Sequence, residues 1–201
     1  MAPRTVCNLV FLVGIVALAV GGVFPLRPST GAASSGRASS PFTNELNQTV
    51  RLRDFRGQAI AVTFFFTRCV APQCCPRLAQ NFLEAERQLS AEKNSPTNWH
   101  FLSITFDPQT DTPEMLRTYA RRRDYDPNHW SFLTGSPEEI GQLAHDAGLA
   151  ATLDDNFINH HFGAMIIDPA GRVQIVFPDA GNLATGLVAE IHKALRFPAR
   201  T

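Results

Sequence analysis

The chain has 201 residues, with 18 basic and 18 acidic side chains and a formal net charge of zero. Hydrophobic residues make up 44% and charged residues 18%, the balance of an ordinary globular protein. No basic stripe stands out, which excludes nucleic acid as an expected partner.

The first residues read as a leader. Arg4 and the α-amino group give a positive start, and "LVFLVGIVALAVGGVF" then runs sixteen residues without a charge. That is longer than a secretory h-region and shorter than the roughly 20 residues of a membrane span. Residues 1–26 are therefore expected to be a membrane anchor or a signal segment, with the bulk of the chain exported. "RPSTGAASSGRASSP", residues 27–41, reads as a flexible tether. Residues 42–197 form the expected folded domain, long enough for a single core.

Within it, "FTNELNQTVRLRDFRG" reads as a hairpin leading into a short helical turn. "QAIAVTFFF" is a continuous apolar run, expected as a buried central strand. Pro76 suits the first turn of a helix continuing through "RLAQNFLEAERQLSAEK", with Leu78, Phe82, Ala85 and Leu89 on one face. "WHFLSITFD" is a second buried strand. "TPEMLRTYARRR" is a helix capped by Thr112, and Arg121-Arg122-Arg123 reads as its solvated end. "WSFLTG" is a short strand and "SPEEIGQLAHDAGL" a helix capped by Ser136. "GAMIID", the turn "PAGR" and "VQIVF" form a hairpin, and "NLATGLVAEIHKAL" closes the domain as a helix. This order gives an α/β fold with a thioredoxin-like pattern: a central mixed sheet flanked by helices, preceded by an N-terminal hairpin extension.

The chemistry concentrates in "FFFTRCVAPQCCPRL". Cys69, Cys74 and Cys75 fall within seven residues, at the junction of the central strand and its helix. A helix N-terminus stabilises thiolate over thiol. The fourth cysteine, Cys7, lies in the leader, so the exported domain carries an odd number of thiols. They suit a disulfide switch, a metal site or a structural bridge. Two thiolates are soft donors that select Cu(I), or zinc in a four-ligand site. A further ligand would be a histidine. His145 and His192 read as solvent-facing helix residues; His100 and His129 neighbour tryptophans without an evident partner. His160 and His161 end a loop just before "GAMIID". In a thioredoxin-like fold that loop faces the cysteines and carries a proline. Here two histidines stand there, which argues for a ligand.

Taken together, the cysteine pair with Pro76, "ITFDPQTDTPEML" and "HHFGAMIIDPAGRV" resemble the SCO/SenC family over about residues 41–196. The resemblance implies a membrane-tethered thioredoxin-like copper protein of the periplasm or an equivalent non-cytosolic face. It implies copper, Cu(I) or Cu(II), held by Cys69, Cys75 and His160. The implied partners are the copper-centre subunit of cytochrome c oxidase and other copper carriers. The implied function is delivery of copper to the dinuclear centre, or reduction of its cysteines. The sequence departs from the commonest family spacing, with five residues between Cys69 and Cys75 in place of three. Cys74 is extra, and His161 stands in place of a small hydroxyl residue. Asp107 matches an acidic residue near the family site; it equally suits a turn before Pro108. A thiol-disulfide oxidoreductase without an obligatory metal is the alternative, and a thiol peroxidase of related fold a third reading.

Overall fold

The computed structural model describes residues 41–72, 74–93, 96–146, 151–154, 157–160, 163–177 and 182–196. All belong to the second of two units, Met1–Thr30 and Gly31–Thr201. The leader and nearly all of the tether therefore lie outside the described residues. Among those residues no helix is long and apolar enough to cross a membrane.

Three buried strands form the heart of the sheet: β3 (Ala59–Phe65), β4 (Trp99–Thr105) and β5 (Trp130–Thr134). They run parallel, and every residue in them is buried, as expected when helices cover both faces. The N-terminal hairpin, β1 (Pro41–Asn44) and β2 (Thr49–Arg51), adds antiparallel to β5 on one side. The C-terminal hairpin, β8 (Ala164–Ile167) and β9 (Val173–Phe177), adds antiparallel to β3 on the other. The seven strands lie in the order β2-β1-β5-β4-β3-β8-β9. The "PAGR" turn is held by Asp168, whose carboxylate accepts from the amides of Ala170 and Arg172 and from the Arg172 guanidinium. Gly171 takes φ +82 there, a conformation that a side chain would strain.

The helices are α1 (Cys75–Ala91), α2 (Pro113–Arg121), α3 (Pro137–Asp146) and α4 (Ala184–Arg196). Thr112 accepts from the Met115 amide and Ser136 from the Glu139 amide, the two caps expected from the sequence. Strand alternation sorts the core into two clusters. Ala59, Ala61 and Phe65 pack with α1, α2 and α4; Ile60, Val62 and Phe64 face α3 and the short helical turn at Leu52–Phe55. The predicted α1 stripe of Leu78, Phe82, Ala85 and Leu89 is buried in the first cluster.

One expectation changes. The stretch before "GAMIID" is not a plain loop: β6 (Ala151–Asp154) and β7 (Phe157–His160) pair antiparallel, with Ala151 opposite His160. They form their own two-stranded sheet, separate from the main one.

Candidate metal centre

The central strand delivers the thiols. Cys69 lies in the loop after β3, and Cys75 is the first residue of α1, followed by Pro76. Cys74 occupies the N-cap position and is buried. Cys75 is 1% exposed, while Cys69 is only half-buried. Cys69 and Cys75 are thiols without a disulfide between them.

The pair is not symmetrical. The Cys75 side chain donates a hydrogen bond to the Cys69 sulfur, which holds Cys69 down to about 6 against the opposing effect of burial. The amides of Cys75 and Ala71 add to that stabilisation. The same hydrogen bond, and then burial, push Cys75 well up. The arrangement favours the proton on the buried Cys75 and the negative charge on the half-exposed Cys69.

A buried carboxylate fixes the loop that carries Cys69. Asp111 is fully buried and accepts the Thr67 amide at 2.9 Å, the Thr67 hydroxyl and the Thr105 hydroxyl. It thus ties the start of the cysteine loop to the end of β4. Sequence reasoning singled out Asp107 in the same stretch and passed over Asp111. The available signal was its place directly before the Thr112-Pro113 helix start. Asp107 is itself held by Arg68, the neighbour of Cys69, at 2.6 Å. Below the loop lies an aromatic floor in which Phe65 packs on Tyr119 at 4.9 Å, and Tyr119 meets Phe132 edge-on at 5.8 Å.

The histidines separate clearly. His100 is buried, bonded to Ser131 at 2.9 Å and packed on Phe55, and burial lowers its pKa to about 4. His129 stacks on Trp99 at 4.2 Å. His145 is exposed, whereas His192, expected in solvent, is largely covered and paired with Glu92 at 3.0 Å. His160 is the last residue of β7, described as backbone; His161 lies outside the described residues. Among the described residues, no three potential ligands gather into a metal cluster.

Topology still constrains His160. Because β8 runs antiparallel to β3, its first residue, Ala164, sits opposite Thr63 near the end of β3 from which the cysteine loop departs. The Thr63 hydroxyl donates to the Gly163 carbonyl at 2.9 Å. His160 is three residues back along the chain, a reach of about 10 Å at most.

A cavity of about 330 Å³ opens beside Cys69 between α1 and α2. Another, of about 270 Å³, lies on the opposite face, lined by Phe42, Phe55, Ile60 and Met165, and touches neither sulfur.

This sheet order, with a cysteine pair where the central strand meets its helix, defines a thioredoxin-like thiol protein. The sequence model of the SCO1/SenC family matches residues 31–196, and the chain belongs to that family. The bovine mitochondrial protein SCO2 homolog is 33% identical over 124 residues, which cover 59% of this chain and 44% of that protein. The chain thus spans less than half the length of that relative. Among solved structures, a SCO1/SenC family lipoprotein from Bacillus anthracis superposes with a TM-score of 0.68 at 23% identity, covering 77% of this chain and 91% of the other. Arabidopsis thaliana ScoI, solved with copper bound, gives 0.65 at 19% identity, covering 78% and 96%. These likenesses show a shared fold.

Proposed function

We propose that this chain is a copper-binding assembly factor that holds one copper ion as cargo between Cys69, Cys75 and His160. The observation that carries the reading is the asymmetric thiol pair: a half-exposed Cys69 favoured as thiolate and hydrogen-bonded by the buried Cys75 thiol at the start of α1. Two sulfurs and an imidazole suit Cu(I) in three-coordination, which leaves one side open for exchange with an acceptor. Family membership and the copper-loaded Arabidopsis relative support copper over other soft metals. The start of β8, which lies beside the cysteine end of β3 three to four residues after His160, supports His160 as third ligand.

Ligation requires both sulfurs as thiolates. Cys69 is already one at neutral pH, so loading releases one proton, from Cys75. The acceptor is the dinuclear copper centre of cytochrome c oxidase, reached from a membrane-tethered position in the periplasm or an equivalent non-cytosolic space. The apolar leader and the Ser/Gly-rich tether support that location.

The same pair supports a second reading, a thiol-disulfide reductase. The Cys69 thiolate attacks a partner disulfide, forming a mixed disulfide and releasing one partner thiolate. Cys75 then attacks Cys69, releasing the second partner thiol and closing the Cys69–Cys75 disulfide. Two electrons pass to the partner. His160→Ala separates the readings when Cu(I) affinity and reductase rate are measured side by side. A copper carrier loses affinity by roughly a hundredfold, about 3 kcal/mol, with its exchange rate little changed. Unchanged affinity contradicts the copper reading.

A further inference from the structure

The arginine run that the sequence presents as the solvated end of a helix does more than solvate. Arg121 closes the last turn of α2, but Arg122 and Arg123 turn into the cavity beside Cys69. Thr67, Cys69, Leu83 and Tyr119 line the same groove. Arg123 is half-buried and fixed twice: its guanidinium sits 3.3 Å over the Tyr119 ring and donates to the Tyr119 carbonyl at 2.7 Å. Arg122, the C-cap residue, is exposed. Of the acidic groups around the groove, Asp107 pairs with Arg68, the buried Asp111 is taken up by Thr67 and Thr105, and the exposed Asp124 lies 3.7 Å from Arg87. Among the described residues neither Arg122 nor Arg123 has a carboxylate partner. Two positive charges, one pre-positioned on an aromatic ring, thus line a groove that opens onto the reactive sulfur.

We propose that this groove seats an acidic segment of the protein partner, with Arg122 and Arg123 pairing a carboxylate close to the partner's cysteine while that sulfur meets Cys69. The inference rests on the cysteine site of the proposed function and names the chemistry of its partner. A guanidinium favours carboxylate by paired, directed hydrogen bonds, and the half-buried Arg123 is screened less than a surface lysine. Pro76, Ala79 and Leu83 line the α1 side of the groove, apolar surface that the side chains of a peptide cover and a free ion does not.

The test needs no copper. The reduced full chain is mixed with short cysteine peptides carried as disulfides of 4-thiopyridine, flanked by aspartate or by lysine. Attack by Cys69 on the peptide sulfur forms the Cys69–peptide disulfide and releases thiopyridone, read by absorbance. Cys75 then displaces the peptide thiol and closes the Cys69–Cys75 disulfide. Rates are normalised to those of β-mercaptoethanol with the same peptides. The aspartate peptide is expected to react about fivefold faster than the lysine peptide at low salt, as two partly exposed ion pairs allow. The preference shrinks as salt is raised. Arg122→Ala lowers it toward one, and Arg122→Glu reverses it. Arg123→Lys, which keeps the charge but loses the fork, lowers it as well. Equal rates in the unaltered chain, or a preference that survives both Arg122 variants, overturn the proposal. So does a preference reproduced in full by the small dicarboxylate dithiodiglycolate, which marks a small-molecule site. Loss of copper affinity in His160→Ala is a separate readout, so failure here and failure of the copper reading are distinguishable.

Discussion

The two arms proposed to meet at the metal are built differently. The cysteine arm grows from a fully buried strand at the centre of the sheet, is tied by Asp111 to the neighbouring strand, and rests on an aromatic floor. The histidine arm ends a two-stranded sheet of its own, with four residues per strand and register fixed only by its own pairing. A short isolated hairpin is marginal by itself. The contrast teaches where support is invested: the sulfurs sit at the junction of the main sheet and its helix, while the proposed third ligand is carried by a separate two-stranded sheet.

The largest expected effect breaks the cysteine arm. Asp111→Ala strips the Thr67 amide and two hydroxyls of their acceptor and costs about 3 kcal/mol in denaturant unfolding. Asp111→Asn, which keeps one acceptor oxygen, costs roughly half as much. By contrast, His160→Ala changes unfolding by less than about 1 kcal/mol, with its loss confined to copper. Equal costs at the two positions would erase the distinction between the arms.

A smaller effect sharpens the asymmetry inside the pair. Below its pKa of about 6, Cys69 is protonated and slow; above it, the thiolate alkylates quickly. The iodoacetamide rate should therefore rise through about pH 6. Cys75→Ala removes the donor that contributes most and moves the midpoint up toward the ordinary value of 9.0. A midpoint that stays put would mean that Cys75 does not stabilise the Cys69 thiolate.

The smallest effect is a control outside both arms. Glu86 on α1 is buried and accepts from the Asp126 amide at 3.0 Å; burial raises its pKa from 4.5 to about 7. Between those values the folded chain keeps a proton that the unfolded chain has lost. Stability therefore falls as pH rises through the window. Glu86→Gln should remove that slope, worth about 1–2 kcal/mol between pH 5 and pH 8, without altering Cys69 alkylation. An unchanged slope would locate the titration elsewhere.

Much of this fold was legible because burial writes itself into composition. The largely apolar, β-rich runs of β3 and β4 read as strands covered on both faces, and the helix caps at Thr112 and Ser136 stood where they were expected. The thiol cluster was legible from spacing alone. The β6–β7 hairpin was not, because "ATLD" and "FINH" are short and carry no clear alternation. Asp111 escaped notice because a buried carboxylate gains its meaning from Thr67, 44 residues away in sequence. Arg122 and Arg123 look like any helix end until α1 is placed opposite them. His192 read as a solvent residue because Glu92 lies 100 positions away. For Asp111, the arginines and His192 the missing information was a long-range neighbour, which residue types and periodicity do not encode.

The proposed site binds one copper ion jointly through Cys69, Cys75 and His160. Copper-edge X-ray absorption of the reduced, copper-loaded chain tests it most directly, with His160→Ala measured alongside. The account predicts two sulfur scatterers and one imidazole nitrogen, with the nitrogen lost in the variant. A sulfur-only shell, or an imidazole signal that persists without His160, would contradict it.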